Sequence, residues 1–167
     1  MAAKICEQFI VMIGVVILVP IFTPEEDGNI KETINAKAIS PIFVYLIRIL
    51  LSVILLVSLI ASFVNILIYL GGTFTSGRLI MGTFVSALFL GGLGLFVASL
   101  TENVSIAYML PIVYFVFDIM TNGKYTKNLF LFSLMNNSFK EKYYLLAVAV
   151  VLIILSLLFY CFKNSKA

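Results

Sequence analysis

Residues 41–70 read PIFVYLIRILLSVILLVSLIASFVNILIYL, an apolar run in which the only charged residue is Arg48. A helix needs about 20 predominantly apolar residues to cross a bilayer, so this stretch is long enough to span with its first turns in the headgroup region. Arg48 lies about two turns in, and its long side chain can reach the polar boundary. The stretch therefore predicts a membrane-spanning helix.

The composition of the whole chain agrees with this prediction. Of 167 residues, 62% are hydrophobic and 11% are charged, and the mean hydropathy is +1.15. Soluble domains are only about half apolar, so we predict an all-α, polytopic membrane protein whose residues 1–167 form a single transmembrane domain. The net charge of +3 is small and scattered, which argues against a nucleic-acid partner.

The apolar runs predict about five membrane spans, with a further segment that is too short to cross and too apolar to be free in solution. For the first span, a partly inserted or interfacial helix remains an alternative, because residues 9–22 give only about 21 Å of helix. Asn103 or Thr101 is expected to cap the fourth span, and Asp118 near its end to meet Lys124 or water. The predicted spans are residues 5–22, 42–70, 79–100, 104–120 and 143–162, and residues 128–139 are expected to be re-entrant or interfacial.

The polar segment 23–40 separates the first two predicted spans. Thr23, Pro24 and Glu26 form one helix-start signal, and Asn29 with Glu32 forms another. Ile30 and Ile34 recur at a spacing of four residues and so share one helical face. We therefore predict a short amphipathic helix that offers a docking surface to a soluble partner.

Two stripes of side chains lie within the predicted spans. The first is polar and predicts either hydrogen bonds between helices or the lining of a transport path, and its members are Ser58, Ser62, Asn65 and Tyr69. The second is made of small residues, which permit close packing within one chain or between two copies. Its members are Thr83, Ala87, Gly91, Gly94 and Ala98.

The sequence contains few of the groups that carry chemistry. Histidine is absent, and Cys6 and Cys161 lie at opposite ends of the chain, so neither a metal site nor a disulfide framework is predicted. Gly123-Lys124 lacks the rest of a phosphate-binding loop, and no nucleophile elbow or paired carboxylates occur. We predict no catalytic residues and no cofactor, and hence that the chain is not an enzyme.

Three stretches resemble the permease subunit of type-2 ABC exporters. They are PIFTPEEDGNIKE at 20–32, AKAISP at 36–41 and LGGLGLFVASL at 90–100, followed by an immediate hairpin. In that family an acidic, glycine-containing cytoplasmic segment couples the permease to its ATPase. The resemblance implies that residues 23–40 are this coupling segment, with Glu25, Glu26, Ile30 and Ile34 docking on a separate ATPase subunit.

The resemblance also implies a homodimer or a homologous permease partner, placed in the lipid bilayer of a bacterial cytoplasmic membrane. The chain begins where the family's second span would begin, so a first span is expected to be lost or supplied by another subunit. Five spans put the termini on opposite sides, and if the Lys163/Lys166 tail is cytoplasmic, residues 23–40 are cytoplasmic too. The count of Lys and Arg residues on the two sides does not by itself favour this orientation. The alternative is a membrane scaffold, immunity or assembly protein that transports nothing.

Overall fold

The computed structural model describes residues 6–21, 41–70, 76–101, 103–136 and 139–164, and over these residues the chain is helical. The predicted all-α, polytopic architecture is confirmed. The segment predicted as an amphipathic helix, residues 23–40, lies outside the described residues. The helices are α1 (Val11–Leu18), α2 (Pro41–Tyr69), α3 (Ser76–Thr101), α4 (Val104–Thr121) and α5 (Lys140–Asn164).

Four of these helices are long and apolar enough to cross a membrane. They correspond to the second to fifth predicted spans. The first predicted span is a shorter apolar helix, Gln8–Ile21, in which α1 is extended by a π-helical turn before it and a 3-10 turn after it. Its length of about 21 Å falls short of the hydrocarbon core of about 30 Å. The spanning segments are Phe43–Tyr69, Gly77–Thr101, Val104–Thr121 and Lys140–Tyr160.

Helix α3 lies at the centre of the bundle. Within its most apolar window 72% of the residues are buried, whereas in the other three spans the share is 22% or less. All four other helices pack against it. The outward faces of α2, α4 and α5 are covered with exposed aliphatic side chains, a surface suited to lipid.

The close packing of α1 on α3 depends on glycine. A methyl group added at Gly91 would lie 2.7 Å from the carbonyl oxygen of Gly14 and would also overlap the side chain of Leu18. Further along, Gly94 lies against Val19. Residue numbers rise together along the two helices, so α1 runs parallel to α3.

Helices α3 and α4 form a tight antiparallel hairpin. Asn103 is the N-cap of α4, and its side-chain oxygen accepts a hydrogen bond from the backbone N–H of Ser105 at 3.0 Å, as the sequence predicts. The chain then returns along α3 to Thr121. This gives the bundle two ends: the segment end, where α1 finishes and α2 starts, and the loop end, where α4 finishes and α5 starts.

The described residues 122–136 form a compact loop at the loop end, and they do not cross the bundle. Two 3-10 turns, Lys127–Leu129 and Ser133–Asn136, flank a buried run at residues 130–132. Gly123 has φ +73°, and a side chain there would overlap the ring of Phe130. The loop packs along the first turns of α3, where Leu134 fills the space beside Gly82.

Candidate functional site

The residues predicted to dock a soluble partner lie outside the described part of the chain. These are Glu25, Glu26, Ile30 and Ile34. What the structure describes is the pair of helix ends from which that segment departs, Ile21 and Pro41.

The polar stripe of α2 faces away from the rest of the chain. Ser58, Ser62 and Asn65 are exposed, and Tyr69 is 91% exposed. The inward face of the same helix is formed instead by Leu56, Ile60 and Val64. The polar stripe is therefore on the outer surface of the bundle, and it does not line the interior of a single copy.

The small-residue stripe of α3 lies at helix contacts. Ala87, Gly91, Gly94 and Ala98 are all buried. Ala87 faces Gly14 of α1, and a methyl group at Gly94 would lie 3.3 Å from the carbonyl oxygen of Ala107 in α4. In the structure these positions serve packing within one chain.

Within the described part of the chain, a buried cluster of polar side chains lies at the loop end. Its centre is Lys142 in the first turn of α5, which is only 1% exposed. The ammonium group donates to the carbonyl oxygen of Leu131 at 2.5 Å and to Ser86 Oγ at 2.6 Å. Ser86 in turn directs its hydroxyl toward Leu131 O at 3.0 Å or Gly82 O at 3.2 Å.

Asp118 supplies the carboxyl group of this cluster. It is fully buried, and its two carboxylate oxygens accept hydrogen bonds from the hydroxyl of Thr126 at 2.5 Å and the backbone N–H of Leu131 at 2.8 Å. Lys142 interacts with it electrostatically. Carboxylate and ammonium thus hold the two main-chain groups of one residue, Leu131, and fix the loop between α3, α4 and α5.

The expectation that Asp118 meets Lys124 or water is wrong. Lys124 is exposed, whereas Asp118 is buried among protein groups. The physical reason lies in the loop, which folds back over the end of α4 and brings Thr126 and Leu131 to a carboxylate that a helix C-terminus would otherwise repel. Sequence reasoning missed Lys142 and Ser86, although a lysine at the start of an apolar run signals a charge near the membrane boundary.

The Ser86–Lys142 pair has the atoms of a serine–lysine nucleophile but lacks the conditions for one. A nucleophile and its general base must be reached by a substrate, and both of these side chains are closed to solvent. Among the residues that the structure describes, no group of His, Cys, Asp or Glu could hold a metal ion. The cluster fits a structural cross-link.

A second set of polar contacts joins the helices at the segment end. Arg48 Nη1 lies 3.4 Å from the carbonyl oxygen of Ile21, the last described residue of the first helix. Tyr45 is buried, shares a hydrogen bond of 3.0 Å with Ser156 of α5 and stacks on Tyr160 with ring centroids 5.1 Å apart. α1, α2 and α5 are thereby tied together where residues 22–40 leave and re-enter the bundle.

No family model, no curated protein and no solved structure matches this chain.

Proposed function

We propose that this chain is the membrane-spanning permease subunit of an ATP-binding-cassette exporter, with ATP hydrolysed by a separate subunit. Support comes from the stretches at residues 20–41 and 90–100 that resemble the type-2 family and from the multi-pass helical bundle. In this proposal residues 23–40 face the cytoplasm of a bacterial cell and dock the ATPase. A homologous permease or a second copy completes the transporter.

The main support for the proposal is the set of polar contacts that connects three helices at the segment end. Arg48 links α2 to the end of the first helix, and Tyr45 links α2 to α5. Because both helices that flank residues 22–40 are fastened at their polar-segment ends, a displacement of that segment is transmitted to three helices together. A coupling segment needs such an attachment, since a flexible tether would absorb the motion instead of passing it on.

A non-transporting scaffold or assembly factor is the second candidate, and the packing of the bundle favours it. The described interior is filled by apolar side chains around α3, and the polar stripe of α2 points outward. In an exporter, the substrate path would therefore run between this chain and its partner. In a scaffold, the outward stripe would instead bind the protein being assembled.

The docking role is tested by reversing two charges in the segment. Glu25→Lys with Glu26→Lys should release an ABC-type ATPase from the affinity-purified complex while the chain stays in the membrane fraction. Lys124→Glu with Lys127→Glu is the matched control, because it also reverses two charges but at exposed positions of the loop end. The ATPase should be retained in the control.

Two results would count against this proposal. Retention of the ATPase by the Glu25/Glu26 variant would remove the docking role from these residues. Purification of the unaltered chain without any ATPase, but with other membrane proteins, would favour the scaffold.

A further inference from the structure

The exposed charges at the loop end share one sign. Among the side chains that the structure describes there, the exposed charged groups are Arg78, Lys124, Lys127 and Lys140. Of the carboxylates whose side chains the structure describes at this end, Asp118 is buried and Glu141 is partly buried, so they contribute little to its surface. The loop end thus presents a positive surface, although the net charge of the whole chain is only +3.

Exposed tyrosines lie among these cations. Tyr69 ends α2, Tyr125 lies in the loop, and Tyr143 and Tyr144 lie in the first turns of α5. Tyr125 is 73% exposed and Tyr143 is 71% exposed. Tyrosine is enriched at the boundary between hydrocarbon and headgroups, where its ring is in an apolar layer and its hydroxyl is hydrated. The exposed tyrosines are therefore of the kind that suits headgroup depth.

We infer that the loop end binds the headgroups of anionic phospholipids in preference to zwitterionic ones. At this depth the nearest available anions are lipid phosphates, and Lys124, Lys127 and Lys140 are long enough to reach them. A zwitterionic headgroup neutralises its own phosphate, whereas phosphatidylglycerol carries a net negative charge that these lysines complement. This inference is independent of transport and holds for either candidate function.

The absence of tryptophan from the chain allows a direct measurement. Tyr125→Trp places a single tryptophan, which can be excited selectively above the tyrosine absorption band, at the loop end beside Phe117, whose ring centroid lies 6.3 Å from that of Tyr125. The full chain is reconstituted in phosphatidylcholine bilayers that contain increasing fractions of either brominated phosphatidylglycerol or brominated phosphatidylcholine. Bromine quenches the fluorophore only on contact, so the two quenching curves give the relative affinity of each lipid for this end.

We expect brominated phosphatidylglycerol to bind about five times more tightly, the factor that corresponds to one cation near an anionic surface. Replacing Lys124, Lys127 and Lys140 together with glutamine should bring the ratio close to one, and replacing the same three with arginine should keep it, because arginine preserves the charge. Raised salt should lower the ratio. Unchanged quenching by brominated phosphatidylcholine shows that a variant is still inserted in the same position.

Equal quenching by the two brominated lipids in the Tyr125→Trp chain would overturn the inference. So would a preference for phosphatidylglycerol that the glutamine variant retains, since the lysines would then not be its source.

Discussion

Lys142 places an ammonium group where neither lipid nor water reaches it. Its hydrogen bonds to Ser86 and Leu131, together with the nearby charge of Asp118, offset the cost of removing that group from water. Lys142 and Asp118 therefore stabilise the fold mainly by compensating each other's burial. Replacing one of two buried opposite charges is much more damaging than replacing both, since a single replacement leaves an uncompensated charge.

This reasoning predicts the outcome of a double-mutant cycle. Lys142→Met alone should destabilise the chain by roughly 3 kcal/mol, and adding Asp118→Asn should recover a substantial part of that loss. The measurement is the free energy of unfolding by sodium dodecyl sulfate in mixed micelles. Thr121→Val is a useful control, because the hydroxyl of Thr121 bonds to Phe117 O within its own helix and lies outside the cluster. If the two substitutions prove additive, Lys142 and Asp118 are not energetically coupled.

Helices α1 and α3 can approach each other closely only because single positions in their contact are glycine. Gly91→Ala should destabilise the bundle by about 1–3 kcal/mol, because the new methyl group would meet Gly14 O and Leu18 and force the helices apart. Gly92→Ala is the matched control on the next residue, where the nearest atom, Ala149 O, lies at an ordinary contact distance of 3.4 Å.

The same unfolding assay separates the two glycine variants. Gly92→Ala should be neutral or slightly stabilising, since alanine favours a helix over glycine by about 0.5–1 kcal/mol. An equal decrease in the free energy of unfolding in both variants would show that α3 requires glycine at both positions for a reason other than a specific contact with α1.

The helices themselves could be predicted from the sequence, whereas the contacts that fix the loop could not. Spans two to five follow from apolar runs bounded by signals such as Asn103, and the structure places their ends within three residues of the predicted ones. The polar cluster joins Ser86, Asp118 and Lys142, which belong to three helices and have no shared periodicity. Periodicity reports which residues share a face of one element, and it carries no information on which loop folds over that face.

For the whole molecule, the parallel course of α1 and α3 determines the arrangement of the termini. Gly14 meets Ala87 and Val19 meets Gly94, so α1 begins toward the loop end and finishes at the segment end. α5 runs from the loop end to the segment end. If the first helix crosses the bilayer in spite of its short length, the chain before it lies on the same side as the loop, and the tail after α5 lies on the opposite side.

Labelling with a membrane-impermeant thiol reagent tests this arrangement. In a Cys6→Ser/Cys161→Ser background, Ala3→Cys and Lys124→Cys should react from one face of the membrane and Lys166→Cys from the other. Lys124 is exposed in the loop, so its variant reports which face carries the loop end in each preparation. Reaction of Ala3→Cys together with Lys166→Cys would mean that the first helix lies along the surface at the segment end. In that arrangement its glycine contacts with the middle of α3 could not form, so Gly91→Ala should then have no more effect than Gly92→Ala.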